Sequence, residues 1–383
     1  MKNEKSPRLF LAVDNCFASK RWTEPEDWMA LLCELGIRYA EASADTECDP
    51  LYTTPEYLAN WRQRVQEAGS LAGVRVANLY SGHGTYSTLG LSHADRRVRA
   101  HLRDNWLKPF LSLAQSLEAG VGFYCFAFNR NVLQSYLAYN EEVEALCEIL
   151  GELSHYNRFI GGKTLSVEQM YAPHQYPWTI EGALYLMKHA DVKITLDTGH
   201  HTGQKRFLPP SEEALFRACR PDGGDLWVGT DVADALLRSA QNGSLPAGEA
   251  VKRILDNVAE NKHLFSAPQD GDLYAWLERL GCNSPIIHLQ QTDGNGSSHR
   301  GFTAELRNGD QVCPKKVLRA LARAYGQPGK SGKSAQIFLT LELFFPTAAY
   351  PSEIIRVLRE SVAVWRSVIP YDGITLEQAL ENL

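Results

Sequence analysis

Eight short segments rich in Val, Ile, Leu, Phe and Tyr, separated by stretches of helical period, constrain this chain more than any other feature of its sequence. They run Leu9–Asp14, Arg38–Ser43, Val74–Tyr80, Val121–Ala127, Thr164–Met170, Val192–Asp197, Pro285–Gln290 and Gln336–Leu343. Parallel strands need a crossover of a dozen or more residues, and a helix between each pair supplies it. No Gly-x-Gly-x-x-Gly follows the first segment, and polar residues stand at the strand ends throughout. The pattern therefore predicts an α/β chain folded as a (β/α)8 TIM barrel rather than an open doubly wound sheet.

Helix boundaries are marked by familiar chemistry. Pro25 opens a helix that Gly36 closes, Thr54-Pro55-Glu56 opens the next, and Pro351–Val368 supplies the last. Ser92–Glu118 reads as one long helical region kinked at Pro109. Between the sixth and seventh strands the chain is far longer than one connecting helix requires. The extra length reads as helical, with pieces at Ser211–Cys219, Asp231–Ala240, Ala247–Phe265 and Asp270–Leu280. The expectation is a single barrel domain over residues 1–383 carrying a helical insertion at about 202–282, placed to act as a lid or an oligomer contact.

Composition narrows the function classes. The 383 residues are 44% apolar and 22% charged, as in ordinary globular proteins, and the net charge of −6 leaves no excess of cations for a polyphosphate. A small-molecule substrate is expected, with no nucleic acid and no membrane as partner. No apolar run approaches the ~20 residues of a membrane span, and the N-terminus lacks a signal-peptide core, which points to the cytoplasm. The 8 cysteines form no C-x-x-C pair, so neither a zinc ribbon nor a disulfide framework is expected.

Barrel enzymes carry their chemistry at the C-terminal ends of the strands. Here those ends hold Asp14, Glu41–Glu47, Tyr80–His83, Glu168, Asp197–His200, His288–Asp293 and Glu342. Strand alternation puts Ser166 with Glu168, Thr195 with Asp197, His288 with Gln290, and Thr340 with Glu342, so each of these strands can send a ligand-type side chain inward at the top. Converging carboxylates raise one another's pKa unless a cation or shared proton intervenes, and one divalent metal is the simplest solution. Three oxygen ligands, Glu168, Asp197 and Glu342, with one nitrogen or amide oxygen favour Mn, Mg or Co, with Zn also admissible. The acidic run Glu41, Asp45, Glu47, Asp49 reads equally as a solvated loop or as part of the site.

The sharpest local signal is Leu196-Asp197-Thr198-Gly199-His200. With Glu168 on the preceding strand, His288-Leu289-Gln290-Gln291-Thr292-Asp293 on the next and Glu342 on the last, the chain resembles the xylose isomerase-like barrel superfamily, which includes sugar isomerases, ketose 3-epimerases, inosose dehydratases and endonuclease IV. The resemblance implies a metal held by Glu168, Asp197, a seventh-strand residue and Glu342. The usual seventh-strand pattern is H-x-H-x-x-D, which leaves Gln290 where the metal-binding His stands. Either Gln290 or His288 takes that place.

The implied chemistry is isomerisation or epimerisation of a sugar or sugar phosphate through an enediolate, with Glu168 and Glu342 as acid and base. His200, His83, His288, Asp14, Asp293 and Arg300 are the expected substrate contacts. The glycine-rich loop Asp293–Arg300 reads either as a phosphate site or as a mobile loop. Competing readings are a non-catalytic sugar-binding barrel, a dehydratase, or an endonuclease; the last is disfavoured by few strand-end histidines and the acidic charge. A homo-oligomer is expected.

Overall fold

The computed structural model describes residues 6–81, 90–305, 312–329 and 331–383. Eight parallel strands close into a barrel: β1 (Arg8–Asp14), β2 (Tyr39–Ser43), β3 (Arg75–Ser81), β4 (Gly120–Phe123), β5 (Leu165–Glu168), β6 (Lys193–Asp197), β7 (Ile286–Leu289) and β8 (Gln336–Leu341). Each pairs with the next, and β1 pairs with both β8 and β2, which closes the ring. A two-residue β9 (Ile374–Thr375) runs antiparallel to the start of β1. It covers a stretch that β2 leaves unpaired, because β2 joins β1 only from Ala12 onward.

The expected segments form strands, somewhat trimmed. The fourth stops at Phe123 rather than Ala127, because Phe126 adopts φ +67°, a left-handed conformation that a strand cannot contain. The single long helix expected at Ser92–Glu118 is instead two helices, Arg96–Leu102 and Lys108–Ser116, joined by a π-helical turn at Arg103–Leu107. Pro109 explains the irregularity: without an N–H it leaves the carbonyl four residues earlier unpaired, and the backbone widens there.

Helices Pro25–Glu34, Pro55–Ala72, Tyr136–Phe159, Ile180–Ala190, Pro314–Gly326 and Pro351–Arg366 pack around the strands. Trp28, Trp106 and Trp365 are fully buried within this core. No helix among the described residues is long and apolar enough to cross a membrane.

The segment between β6 and β7 builds a second core. Helices Glu212–Ala218, Asp231–Gln241 and Ala247–Glu260 bury Leu215, Leu237, Val251 and Ile254 against one another, with Leu264 from the turn Lys262–Leu264. The helix Leu273–Leu280 does not share this core; its Trp276, Leu277 and Leu280 pack with the barrel. The extra helices are rooted beside β5 and β6, where Gln204 Nε2 donates to the carbonyls of Met170 and Trp178, and Asp270 accepts from the Ile180 and Ala267 N–H groups. They also touch the loop after β4, through Leu133 and through the Gln134 amide oxygen on the Asp231 N–H. They therefore pack against the segments that follow β4 to β6.

Candidate active site

Inward-facing residues at the C-terminal ends of six strands meet on the barrel axis. Among the described residues, Glu168 on β5, Asp197 on β6, His288 on β7 and Glu342 just past β8 form a group whose potential ligand atoms all lie within 4.8 Å of one another, every one buried. His288 is at the centre. Its Nδ1 lies 3.0 Å from Glu168 Oε1 and 3.1 Å from Glu342 Oε2, and its Nε2 lies 2.6 Å from Glu41 Oε1 on β2. Asn78 Nδ2 on β3 donates to the other oxygen of Glu41 at 2.8 Å. The Tyr80 hydroxyl donates to Glu168 Oε2, and its ring meets His288 edge-on at 4.8 Å.

The electrostatics follow from burial and crowding. Asp14 is pushed well above the usual carboxylate range by burial, and then by Glu41 and Glu342. Burial alone would raise Glu342 as well, but the imidazoles of His288 and His299 outweigh it and hold that carboxyl well below its ordinary value. Burial opposes the charged form of His288, yet Glu342 and Glu41 overcome it and raise its pKa well above normal. A site of this composition needs positive charge.

The donor set fits a hard divalent cation. In an octahedral site with metal–ligand distances of ~2.1 Å, neighbouring ligand atoms stand about 3.0 Å apart, close to the Nδ1 separations from Glu168 and Glu342. One Nδ1–H cannot serve two carboxylates equally, whereas one cation between the three atoms can.

Gln290 lies next to this group and its amide reaches it through Asp197. Its Nε2 donates to both Asp197 oxygens at 2.8 and 2.9 Å, and its Oε1 accepts from the His299 N–H at 2.6 Å. Both seventh-strand candidates therefore reach the group, Gln290 through Asp197 and His288 through Glu168 and Glu342. Asp197 Oδ1 also accepts from the N–H groups of Gly199 and His200. His200 is buried beside it, with Nδ1 on the Gln169 carbonyl at 2.7 Å and Nε2 3.9 Å from Asp197.

Asp14 closes the ring from β1, its Oδ1 accepting from the Cys16 N–H. Asp293 and Arg300 are not brought to the group; both are exposed and pair with each other at 3.1 Å. Two N–H groups of their loop are used internally, Gly294 on Thr292 Oγ1 and Asn295 on Asp293 Oδ1. His83 lies outside the described residues.

The sequence left the acidic run Glu41, Asp45, Glu47 and Asp49 open between a solvated loop and the site. Glu41, Glu47 and Asp49 are buried rather than solvated. An acid flanked by Ala40 and Ala42 inside a strand was the available signal for Glu41, since such a carboxylate must find a partner. His299 had no comparable signal. It reaches Glu342 Oε2 at 3.3 Å from the loop after β7, held at φ +48° and stacked on Phe344.

No family model matches the sequence. A curated relative, D-erythrulose 1-phosphate 3-epimerase of Brucella abortus (strain 2308), is 33% identical over 99 residues, or 26% of this chain; the match spans only 29% of the relative's length. Among solved structures, a provisionally assigned xylose isomerase from Rhodospirillum rubrum ATCC 11170 matches with a TM-score of 0.67 and 18% identity, covering 94% of this chain and 98% of the other. An L-ribulose 3-epimerase matches at 0.54 and 13% identity, over 97% of this chain and 95% of the other. The closed parallel barrel and these likenesses agree on one architecture: the chain folds as a (β/α)8 TIM barrel, as these proteins do.

Proposed function

We propose that the chain is a divalent-metal-dependent sugar epimerase or isomerase, with 3-epimerisation of a short ketose or its phosphate as the favoured reaction. The convergence of Glu168, Asp197, His288 and Glu342 within 4.8 Å on four consecutive strands carries this reading. The D-erythrulose 1-phosphate 3-epimerase relative and the epimerase fold neighbours support the substrate class. When bound, the cation would supply Lewis-acid stabilisation of the negative charge that grows on the sugar oxygens as a proton leaves carbon.

The chain's own residues do the rest. Glu168 and Glu342 come from strands three apart in the ring, so their carboxylates flank the same point from different sides. One removes the proton next to the carbonyl and the other returns one to the opposite face, which inverts that centre. Tyr80 holds Glu168 through Oε2, leaving Oε1 directed at the centre. Gln290 and the Gly199 and His200 N–H groups hold Asp197. His200 and Asp14, both buried, would meet substrate hydroxyls, and the insertion, which touches the loops after β4 to β6, would help exclude water.

The test is to strip the protein with chelator, reload it with Mn, Mg, Co or Zn in turn, and incubate it in D2O with ketotetroses to ketohexoses and their 1-phosphates. Metal-dependent deuterium at C3 with formation of the epimer is expected, and Glu168→Gln or Glu342→Gln should abolish it. Exchange that survives metal removal, or none with any cation, overturns the proposal. Deuterium at C1 or C2 with an aldose product would identify the isomerase alternative.

A further inference from the structure

The chemistry described so far lies at one end of the barrel, and a cavity opens at the other. It measures about 1060 Å³ and is bounded by the starts of β1 to β5, β7 and β8 and by one flank of the helix Pro55–Ala72. We infer that this N-terminal face carries a second binding site, independent of the catalytic group, for a small organic anion with a flat apolar body.

The interior of an eight-stranded barrel is ordinarily filled by layers of side chains, and its N-terminal face serves stability. Here the lowest layer leaves a cavity. Phe10, Tyr39 and Phe338, from β1, β2 and β8, pack on one another with ring centroids 5.0 to 5.4 Å apart. They fill one side of the floor, and Tyr39 and Phe338 are only half-buried, so ring surface lines the opening. Across from β8, β4 begins with Gly120, which has no side chain to contribute. The Asn78 side chain lies over it, with Oδ1 2.7 Å from where a Cβ would stand, so the glycine cannot be replaced without displacing that amide. Aromatic surface on one side and backbone on the other suit a flat apolar body.

The rim supplies the charge. Arg75 starts β3 and Lys163 precedes β5, so one cation stands on each side of β4. Both are exposed and line the cavity, and neither side chain is paired among the described residues. Glu118, the one acid in the lining, is exposed and likewise unpaired. Two cations against one acid leave a positive mouth on a chain whose overall charge is −6, which favours an anion. Asn78, 1% exposed, closes the inner end; its Nδ2 is engaged by Glu41 at 2.8 Å, so the cavity and the catalytic group have this side chain between them.

The probe is anilinonaphthalene sulfonate, a flat aromatic anion whose fluorescence rises when it leaves water, titrated at low and high salt. Far-UV circular dichroism and thermal unfolding serve as fold controls. Gln336→Trp, at an exposed position on the rim, should fill the mouth and remove one equivalent of bound probe. Arg75→Gln combined with Lys163→Gln should weaken that equivalent ~10-fold and flatten its salt dependence, whereas Glu118→Gln should strengthen it. Phenylnaphthylamine, the same body without the sulfonate, should bind the doubly neutralised protein as it binds the wild type. Glu342→Gln should leave the equivalent in place.

Equal probe stoichiometry in the wild type and Gln336→Trp would overturn the site. Unchanged affinity and salt dependence in the doubly neutralised protein would overturn its preference for an anion, and this exposed pair keeps the test open should Gln336→Trp not fold. Loss of the equivalent in Glu342→Gln would place the probe at the catalytic group and overturn a second site.

Discussion

Glu47 offers a quantitative check on how the ground behind the site is built. It ends the turn after β2, is 7% exposed, and accepts from Trp28 Nε1 at 2.7 Å and Asn15 Nδ2 at 2.9 Å through one oxygen, while its other oxygen has no hydrogen-bond partner. Burial pushes its pKa up to about 7, against the opposing pull of Trp61, Trp28 and Asn15. Because the folded value exceeds the unfolded one, the folded state binds more protons between about pH 4.5 and 7. Stability is therefore lost as pH rises through that window, and the full penalty applies above it.

A displacement from 4.5 to about 7 corresponds to about 3 kcal/mol at pH 8, of which ~2.5 kcal/mol accrues between pH 5 and pH 8. Glu47→Gln mimics the protonated side chain, since its amide oxygen can accept from Trp28 and Asn15, and it cannot ionise. Equilibrium urea unfolding of both proteins at pH 5, 6, 7 and 8 should show the stability difference moving toward the variant by ~2.5 kcal/mol across the series. The difference between the two proteins removes the contributions of titrating groups they share. A difference that stays constant with pH would refute the assignment of a buried carboxyl that is neutral in the folded protein.

Two further substitutions probe the clamp on Asp197. A Cβ at Gly199 would fall 2.5 Å from Gln290 Cδ and 2.6 Å from its Oε1, so Gly199→Ala should push the amide off Asp197 and weaken Mn2+ by ~10-fold, read by calorimetry. Gln290→Ala removes both contacts to Asp197 and leaves the half-buried His299 N–H without its acceptor, at an expected cost of about 2 kcal/mol in urea unfolding. The combined Gly199→Ala and Gln290→Ala variant should bind Mn2+ no more weakly than Gln290→Ala alone, because the clash needs the amide. Additive losses would show that Gly199 acts by another route.

Much of this architecture is written in local pattern. Strand segments rich in branched and aromatic residues alternate with capped helices, and that alternation suffices for a parallel barrel because each parallel pairing demands a crossover. Side-chain parity likewise turns Glu168, Asp197 and Glu342 inward, since the period of a strand is two whatever surrounds it. Parity could not separate His288 from Gln290, which share a face. Nor could local pattern show that Phe126 ends β4 early, or that the loop after β7 folds back to bring His299 onto Glu342.

Those outcomes were decided by height and by long-range closure. In the assembled barrel His288 stands level with Asp197 across the β6–β7 pairing, with its ring reaching over to Glu41, while Gln290 stands one layer higher against Asp197 and the returning loop. The level of each residue depends on the stagger between strands as the sheet closes. That quantity is summed around the whole ring, so no single segment encodes it. The sequence by itself determined which residues face the axis; only the closed barrel determined which of them meet.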